Sequence, residues 1–520
     1  MHFIQKYKDY ISLFLIYFLS HIFLLLNYDG LYWDDYVLYD QSFITIKSMF
    51  AQATGGLDTA TYIHTSLLYF EDGILLYRLL VFTLYFLSAI FIFKILKSLK
   101  LLDNSIVYFI TLTYLVVPLM SAKIALIDFP YTLYLFIYFL AFFILSKYMD
   151  NTHTRINKLF LRIVILFLFY LSFMIPSFLV FYIFILFYLM YKEWNKHNNN
   201  LYQCVKNLLY KYSDFLLLPI ISFYIKSVYF KPYGLYASYN HLQINMYTWT
   251  LLKESFNSSF IIPIYNSLND ILDYWYISLV IIFFLYKFIK TFIFKEEKLS
   301  FLILLLLVGV FMFTVAVFPY IAVLKLPQLS GWESRHQLLI PLGFSFIVVS
   351  LYLSIRKFYI PIANILLSTI LTGLIITTYD NYLKYERDWF YQLALEKNIK
   401  ENKMIQQNST FIVTLENQSY LANNRNISFY EFGGHSKKVF GIDNKLFVES
   451  LNDIKNYLQY KKHKQYNFSH WEYENPIYLK ISFNKIFPIE MYRLTYLYLF
   501  DRNRFELYIE KYVTILEGKG

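Results

Sequence analysis

The sequence has little charge and a single cysteine, and both scarcities narrow the class of protein. Cys204 stands alone among 520 residues, so no intramolecular disulfide can form. Cysteine and histidine nowhere cluster with the spacing of metal ligands, which argues against a zinc site. Only 16% of the residues are charged, whereas 58% are hydrophobic and 22% are aromatic. This composition excludes an ordinary soluble domain and predicts a membrane protein.

Long apolar runs recur along most of the chain, each close to the length of about 20 residues that a helix needs to cross a bilayer. The runs are continuous and do not alternate with period two, which favours helices over barrel strands. About eleven spans are predicted, near residues 10–27, 74–94, 105–121, 130–147, 161–174, 177–191, 213–230, 272–289, 299–318, 337–354 and 358–378. The fifth and sixth meet at "FMIPS", where Pro176 favours a hairpin of two short helices over one bent helix.

Basic residues are unevenly distributed between the loops that connect these spans. If the N-terminus is cytoplasmic, the inner loops collect most of the Lys and Arg and the outer loops hold few. The net charge of +11 then reflects membrane topology, and nucleic acid is not expected as a partner. The first apolar run has a basic lead but no small-residue cleavage site, so it is predicted to be retained as the first span. The expected location is the cell (inner) membrane, as a multi-pass protein.

The composition changes at about residue 380, from apolar to polar and rich in Asn and Lys. Residues 1–379 are predicted to form the membrane domain, with interfacial helices in the external loop 28–73, and residues 380–520 an extracytoplasmic α/β domain. In that domain "STFIVTL" and "PIYLKISF" predict strands, and "FVESLNDIKNYLQYKK" predicts a helix. "FGGH" is too short for a phosphate loop and predicts a turn. The fold class is therefore an all-α polytopic membrane protein with a C-terminal α/β domain.

Two acidic features lie on the predicted outer side. Asp34 and Asp35, in "NYDGLYWDDYVLYD" after the first span, are adjacent like charges, which raise one pKa and give a usable base. The alternative is that both are solvated loop carboxylates. Asp128, with Lys123, stands in the nearly uncharged "MSAKIALIDFPYTLYLF" between the third and fourth spans, where an ionisable group is a functional candidate. Asp128 could instead cap the fourth span ahead of Pro130.

Two basic features lie on the same side. "GWESRHQLLIPLG" puts Glu333, Arg335 and His336 at the outer end of the tenth span; the Arg fork suits phosphate, and His adds a pH-dependent donor. A plain Glu333–Arg335 ion pair is the alternative. Arg78, in "LLYRLL" at the outer end of the second span, is either a ligand or a snorkelling anchor. Acids for deprotonating a hydroxyl, beside cations for a phosphate, are what transfer from a lipid-phosphate donor needs.

In their order and spacing these motifs resemble the GT-C class of integral-membrane glycosyltransferases, within it the group that includes protein O-mannosyltransferases and the lipid A aminoarabinose transferase. "YWDDYVLYD" resembles the acidic pair of that group, and "SAKIALIDFPYTLYLF" its small-basic-x-x-x-x-Asp-x-Pro pattern. "LSFMIPSFLVF" is similar to its proline-containing turn. "ESRHQLLIPLG" resembles its Arg-Tyr-x-x-x-x-Pro segment at the start of a late span, with His336 in the Tyr position. The resemblance covers roughly the first 355 residues.

The resemblance implies that Asp34 is the catalytic base with Asp35 as its neighbour, that Asp128 lines the same cavity, and that Arg335 holds the donor phosphate. The expected reaction moves a sugar from a polyprenyl-phosphate donor to an extracytoplasmic glycan, lipid or protein acceptor, with inversion. No cofactor is required, although a divalent metal is compatible with the carboxylates. The residues predicted to bind substrate are Arg78, Lys123, Asp128, Glu333, Arg335 and His336.

Other classes of function stay open from the sequence. An O-antigen polymerase or ligase also uses external Arg and His, but is expected to place them in a large late loop, whereas the acids here begin in the first loop. A transporter or lipid flippase predicts charges near mid-membrane and two repeated halves, and neither is evident. A membrane anchor that displays the C-terminal region as a binding module would leave Asp34, Asp35 and Asp128 without a role.

Overall fold

The computed structural model describes residues 2–39, 41–150, 155–197, 200–295, 297–442, 444–454 and 475–518. Its helices up to the first strand are α1 (His2–Leu26), α2 (Asp35–Leu38), α3 (Phe43–Thr54), α4 (Ala60–Leu68), α5 (Gly73–Leu99), α6 (Asn104–Val116), α7 (Phe129–Asp150), α8 (Arg155–Ser172), α9 (Ser177–Phe181), α10 (Ile183–Lys196), α11 (Leu201–Lys211), α12 (Ser213–Tyr229), α13 (Met246–Phe256), α14 (Ile262–Asp273), α15 (Trp275–Ile289), α16 (Leu299–Ile321), α17 (Ile340–Phe358), α18 (Ile360–Glu401) and α19 (Lys403–Gln407). The C-terminal part adds α20 (Phe429–Phe440), α21 (Pro488–Phe500) and α22 (Arg502–Ile509), and the strands β1 (Thr410–Glu416), β2 (Leu446–Val448), β3 (Ile477–Phe483) and β4 (Val513–Glu517).

Seven helical segments in the described part of the chain are long and apolar enough to cross a membrane: Tyr7–Leu26, Gly73–Leu99, Phe129–Asp150, Ser177–Lys196, Leu299–Ile321, Ile340–Phe358 and Ile360–Glu401. The number rises to nine if each of two bent pairs, α11 with α12 and α13–α14 with α15, forms one span. These helices confirm a polytopic, helical membrane protein.

The count of eleven spans stays a prediction, because two of the predicted runs form helices of a different kind. The run at 105–121 is the 13-residue helix α6, which is shorter than a bilayer span. The run at 161–174 belongs to α8, which also contains Arg155, Lys158 and Arg162. The break predicted at "FMIPS" is present, since α8 ends at Ser172 and α9 starts after Pro176.

Helix α18 is the longest helix and connects the membrane part to the C-terminal part. Its 42 residues extend over about 63 Å at a rise of about 1.5 Å per residue, roughly twice the thickness of the hydrocarbon core. The predicted domain boundary at residue 380 lies in the middle of this helix. Buried apolar side chains from Leu13 of α1 to Val513 of β4 also belong to one connected core. The two predicted domains therefore share a helix and a core.

The C-terminal part contains a four-stranded sheet with the order β2-β1-β3-β4. β1 is parallel to β2 and β3, whereas β4 is antiparallel to β3. β1 and β3 coincide with the two strands predicted from "STFIVTL" and "PIYLKISF". The helix predicted at 447–462 is wrong at its start, where Phe447 and Val448 belong to β2. Residues 455–462 lie outside the described residues.

The loop between α1 and α5, for which the sequence predicted interfacial helices, contains the short helices α2, α3 and α4. Helix α2 ends at Leu38, and α3 starts at Phe43, where the Ser42 side chain accepts a hydrogen bond from the Thr45 N–H. Outward-facing apolar side chains on α3 and α4, such as Ile44 and Tyr62, are exposed. The loop therefore presents apolar surface at its outside, as an interfacial segment does.

Candidate functional site

The two adjacent acids of the first loop have different surroundings. Asp35 is fully buried, and its two carboxylate oxygens accept hydrogen bonds from the backbone N–H groups of Tyr32 at 3.0 Å and Ile127 at 2.9 Å. Asp35 therefore joins the loop after α1 to the loop that precedes α7. Asp34 is only partly buried and precedes α2 without capping it. Of the pair, Asp34 is thus the carboxylate with access to a substrate.

Burial is the largest cause of the pKa shifts of both acids, whereas the sequence suggested the adjacent like charge. It raises the pKa of Asp34 to about 6, while a hydrogen bond from the Tyr430 hydroxyl and the charge of Arg335 act in the opposite direction. Burial also raises the pKa of Asp35 to about 7, against the backbone hydrogen bond from Ile127. A carboxyl group with a pKa near 6 is well matched to proton transfer near neutral pH.

Asp128 lies directly before α7 and is fully buried. Within the described part of the chain, neither of its carboxylate oxygens has a hydrogen-bond partner, so it does not cap α7. Burial raises the pKa of Asp128 well above its usual range; Arg335 opposes this shift, and Asp35 and Asp34 add to it. A buried acid without partners is costly in a folded protein, and a ligand hydroxyl would satisfy it.

Arg335 lies in a short 3₁₀ turn, Trp332–Gln337, ahead of α17. Its side chain is almost fully buried, and one of its amino groups donates to the Tyr239 hydroxyl at 3.1 Å and lies 3.5 Å from Oε1 of Glu333. The guanidinium carbon is 4.1 Å from the ring centroid of Trp332, which is a cation–π distance. The predicted Glu333–Arg335 pair is thus present, and Arg335 has electrostatic contact with Asp128 as well.

His336 contacts Glu333 rather than acting as a second cation. Its Nδ1 lies 2.9 Å from Oε2 of Glu333, and its ring centroid is 4.7 Å from that of Tyr320. Burial lowers the pKa of His336, although Glu333 opposes the shift. The imidazole thus lies between the Glu333 carboxylate and the Tyr320 ring.

Backbone contacts between three loops bring these residues together. The Asp35–Ile127 hydrogen bond joins the first loop to the one before α7. That loop is joined in turn to the late loop, because the Ala122 N–H donates to Oγ of Ser334 at 2.8 Å. Asp34, Asp128 and Arg335 therefore form one cluster, which we call the acid–arginine cluster. The sequence predicted this convergence from topology alone.

Arg78 was predicted to bind substrate, but each of its three guanidinium nitrogens already donates to a backbone carbonyl. Its Nε donates to the carbonyl of Asn27 at 3.0 Å, and its two amino groups donate to the carbonyls of Gly30 and Ile124. The side chain is fully buried, so it does not snorkel to the membrane surface either. Arg78 has a structural role, because it links the loop after α1 to the loop before α7.

Lys123 also lies apart from the acid–arginine cluster. Its Nζ is 3.3 Å from Nε2 of His21 in α1 and 3.9 Å from the ring centroid of Tyr85 in α5. A second ring, Tyr382 of α18, lies within 5.8 Å. This buried ammonium group is thus held by aromatic faces between helices. The contacts of Lys123, which the sequence predicted to bind substrate, are thus with α1, α5 and α18 rather than with the acid–arginine cluster.

Two residues near the cluster were not identified from the sequence as site candidates. Lys325 has its Nζ 3.3 Å from the ring centroid of Tyr239, the same ring whose hydroxyl accepts from Arg335. Burial, followed by the charge of Arg335, lowers the pKa of Lys325 to about 8. The scarcity of basic residues in the outer loops could have marked Lys325. Tyr430 is one of 53 tyrosines, so no sequence signal distinguishes it.

A buried ion triad fixes the C-terminal part above the first loop. Arg425 donates two hydrogen bonds to Asp388 of α18, both at 2.8 Å, and one to Glu431 of α20 at 2.6 Å. Glu431 also accepts the N–H of Trp33 at 3.3 Å. The φ angle of Trp33 is 50°, a left-handed conformation that costs energy for a bulky residue. The triad therefore holds the backbone next to Asp34 in a strained conformation.

The predicted "FGGH" turn is wrong, because Phe432 to His435 lie inside α20. At Gly434 the helix packs so closely on the first loop that an added Cβ would lie 2.2 Å from a ring carbon of Tyr36. Next to it, His435 contacts the Tyr36 hydroxyl at 3.2 Å and Glu396 at 2.8 Å. The glycine is required for close packing between helices and not for a turn.

Gly434→Ala is therefore expected to push α20 away from Tyr36 and to destabilise the protein by about 1–3 kcal/mol, the usual cost of overpacking. Thermal unfolding of the purified variant would measure this loss. The test is completed by measuring Tyr36→Ala alone and in combination with Gly434→Ala. If the two side chains clash, their effects on the free energy of unfolding are strongly non-additive. Additive effects would show that the helix does not depend on this contact.

Among the residues that the structure describes, no group of three or more His, Cys, Asp or Glu could hold a metal ion. No protein-family model, no curated protein and no solved structure matches the chain.

Proposed function

We propose that the chain is an integral-membrane glycosyltransferase that moves a sugar from a polyprenyl-phosphate donor to an acceptor on the extracytoplasmic side. The observation that supports this function is the acid–arginine cluster, in which Arg335 attracts both Asp34 and Asp128. A carboxylate base beside a guanidinium fork matches a hydroxyl acceptor and a phosphate leaving group. The proposal includes eleven spans, a cytoplasmic N-terminus and an extracytoplasmic C-terminal region.

The chemical step is a single displacement at the anomeric carbon of the donor sugar. The acceptor oxygen forms the new bond as the bond between the anomeric carbon and the phosphate oxygen breaks. Asp34 accepts the proton of the acceptor hydroxyl, and Arg335 stabilises the charge that develops on the lipid phosphate. One displacement inverts the anomeric configuration. Since the phosphate leaves with its lipid, a nucleotide-binding loop is not needed.

Asp128 has a binding role in this scheme. Its two unpartnered oxygens and its raised pKa suit a neutral acid, which both donates and accepts hydrogen bonds. Such a group can hold a sugar or acceptor hydroxyl between Asp34 and Arg335. Lys325, next to the Tyr239 ring that Arg335 contacts, adds a second positive charge near the phosphate.

The positions of these residues favour an enzyme over a transporter or flippase. Asp34 follows α1, Asp128 precedes α7 and Arg335 precedes α17, so all three stand at helix ends. Transport sites are typically near the bilayer midplane, between helices. An O-antigen polymerase or ligase is disfavoured because the acids come from the first loop and from the loop before α7.

Mass spectrometry of cell-surface glycans and lipids in the native host tests the proposal. Wild type is compared with a deletion strain and with the deletion complemented by wild-type or variant genes. Loss of one sugar in the deletion, restored by the wild-type gene, would identify the transferred group and its acceptor. An unchanged set of glycans and glycolipids in the deletion would refute the proposal.

The pH dependence of transfer should report the state of Asp34. Because its pKa is raised to about 6, activity that needs the carboxylate is expected to be lost as the pH falls through about 6. Tyr430→Phe removes a hydrogen bond that stabilises the carboxylate, so the acidic limb should move to higher pH. Initial rates across the acidic range, with the donor and acceptor found by mass spectrometry, measure both effects.

The matched control is Tyr202→Phe, which removes a hydroxyl from an exposed side chain of α11. Its acidic limb should coincide with that of the wild type. If the limb of Tyr430→Phe also coincides with the wild type, the Tyr430 hydroxyl does not act on the proton-accepting group.

A further inference from the structure

Helix α21 exposes an apolar face on its outside. Ile489, Tyr492, Tyr496 and Phe500 are 82%, 45%, 61% and 73% exposed. Their spacing of three, four and four residues puts them on one side of the helix. The other side, with Met491, Leu494, Leu497 and Tyr498, is buried in the protein core. Arg493 is exposed on the same side, and its guanidinium lies 4.5 Å from the ring centroid of Tyr508. An apolar face with one long basic side chain is typical of a helix at a membrane interface, where the charged end reaches the headgroups.

The height of α21 along the membrane normal follows from its contacts. The Tyr492 hydroxyl lies 3.4 Å from that of Tyr379 in α18, and both rings lie near Phe23, close to the end of α1. Helix α18 starts at Ile360, so its first 20 residues or so rise about 30 Å, the thickness of the hydrocarbon core. Tyr379 and its neighbour α21 therefore lie at the boundary between hydrocarbon and headgroups.

Exposed aromatic residues continue at the same height on a neighbouring helix. The Tyr274 hydroxyl donates to Asp380 of α18 at 2.8 Å, which fixes the start of α15 at this level. The next two residues, Trp275 and Tyr276, are 61% and 57% exposed. Trp and Tyr are enriched at membrane interfaces because their rings are apolar and their polar atoms reach water. The exposed face of α21 thus continues the aromatic surface of the membrane part.

We propose that α21 lies flat on the bilayer, on the side of the C-terminal region, with Ile489, Tyr496 and Phe500 among the lipids. The C-terminal region is then attached to the membrane at two places, through α18 and through α21. A lipid surface is the occupant because the helices that α21 touches, α1 and α18, are themselves membrane spans. This inference does not depend on the chemistry proposed for the acid–arginine cluster.

Spin labelling of the full-length chain in lipid nanodiscs tests the proposal. The buried Cys204 is replaced by Ser, and single cysteines are introduced as Ile489→Cys, Tyr496→Cys and Phe500→Cys, with Arg504→Cys as the control. The Arg504 side chain is 72% exposed and lies on the next helix, α22. Collision rates with oxygen, which concentrates in lipid, and with a water-soluble nickel chelate are compared for each label.

At 489, 496 and 500 the label is expected to collide more with oxygen than with nickel, and the order should reverse at 504. Nickel access at the three positions equal to that at 504 would overturn the proposal. Low access to both reagents would also overturn it, since protein would then cover the face. Dipolar broadening that disappears on dilution with unlabelled chain would identify that cover as a second copy.

Discussion

Replacing Asp34 with asparagine is expected to lower the rate of the proposed sugar transfer by about 10²- to 10⁴-fold, the usual contribution of a positioned general base. The amide has nearly the same shape as the carboxylate but cannot accept the proton of the acceptor hydroxyl. Asp34 is partly exposed and makes no helix cap, so the protein should fold and unfold as the wild type does. The rate is measured with the purified chain, its donor and its acceptor.

The adjacent acid provides the comparison. Asp35→Asn leaves one of two backbone N–H groups, of Tyr32 or Ile127, facing an amide NH₂ in a buried place. We expect this variant to lose thermal stability, whereas Asp34→Asn loses activity at unchanged stability. Full activity in well-folded Asp34→Asn would show that this carboxylate is not the base.

Arg425→Met is expected to lower the free energy of unfolding by about 3–5 kcal/mol, the cost of leaving buried charges without their partner. Asp388 and Glu431 are both fully buried, and Arg425 is the cation that neutralises them. Methionine keeps much of the side-chain volume, so the loss is mainly electrostatic. Denaturation of the detergent-solubilised protein, followed by loss of tertiary structure, measures the change.

Arg504→Met is the matched control for this substitution. Arg504 pairs with Asp501 at the surface, where its side chain is 72% exposed, and such a pair contributes about 1 kcal/mol or less. A further variant, in which Arg425→Met is combined with Asp388→Asn and Glu431→Gln, should recover part of the stability. If Arg425→Met and Arg504→Met lowered the free energy of unfolding equally, the triad would not stabilise the fold.

Much of the membrane part could be predicted from the sequence because continuous apolar runs have few alternatives to transmembrane helices. The continuation of α18 beyond residue 380 could not. There the composition turns polar, which resembles a domain boundary, but the helix merely passes from lipid into contact with the C-terminal region. Trp389, Phe390 and Tyr391 are buried in that contact. The composition therefore changes where the surroundings of the helix change, although the helix itself is continuous.

The candidate site could be predicted from the sequence only in part. Topology put Asp34, Asp128 and Arg335 on one side of the membrane, and the structure brings them together. The roles of Arg78 and Asp35 depend on backbone groups of Ile124 and Ile127, in a distant loop. From the sequence alone, a charged side chain such as these is assigned to ligand binding, because the sequence does not reveal which backbone groups of distant loops form hydrogen bonds with it.

Because α18 is one continuous helix, it connects the membrane-spanning part rigidly to the proposed active site. Its first half is apolar enough to span a membrane, whereas Asp388 in its second half binds Arg425. Arg425 is linked through Glu431 to the backbone of Trp33. A bilayer of different thickness would tilt or shift such a rod. The position of the residues next to Asp34 is therefore expected to depend on acyl-chain length, so the composition of the host membrane would affect the geometry of the proposed active site.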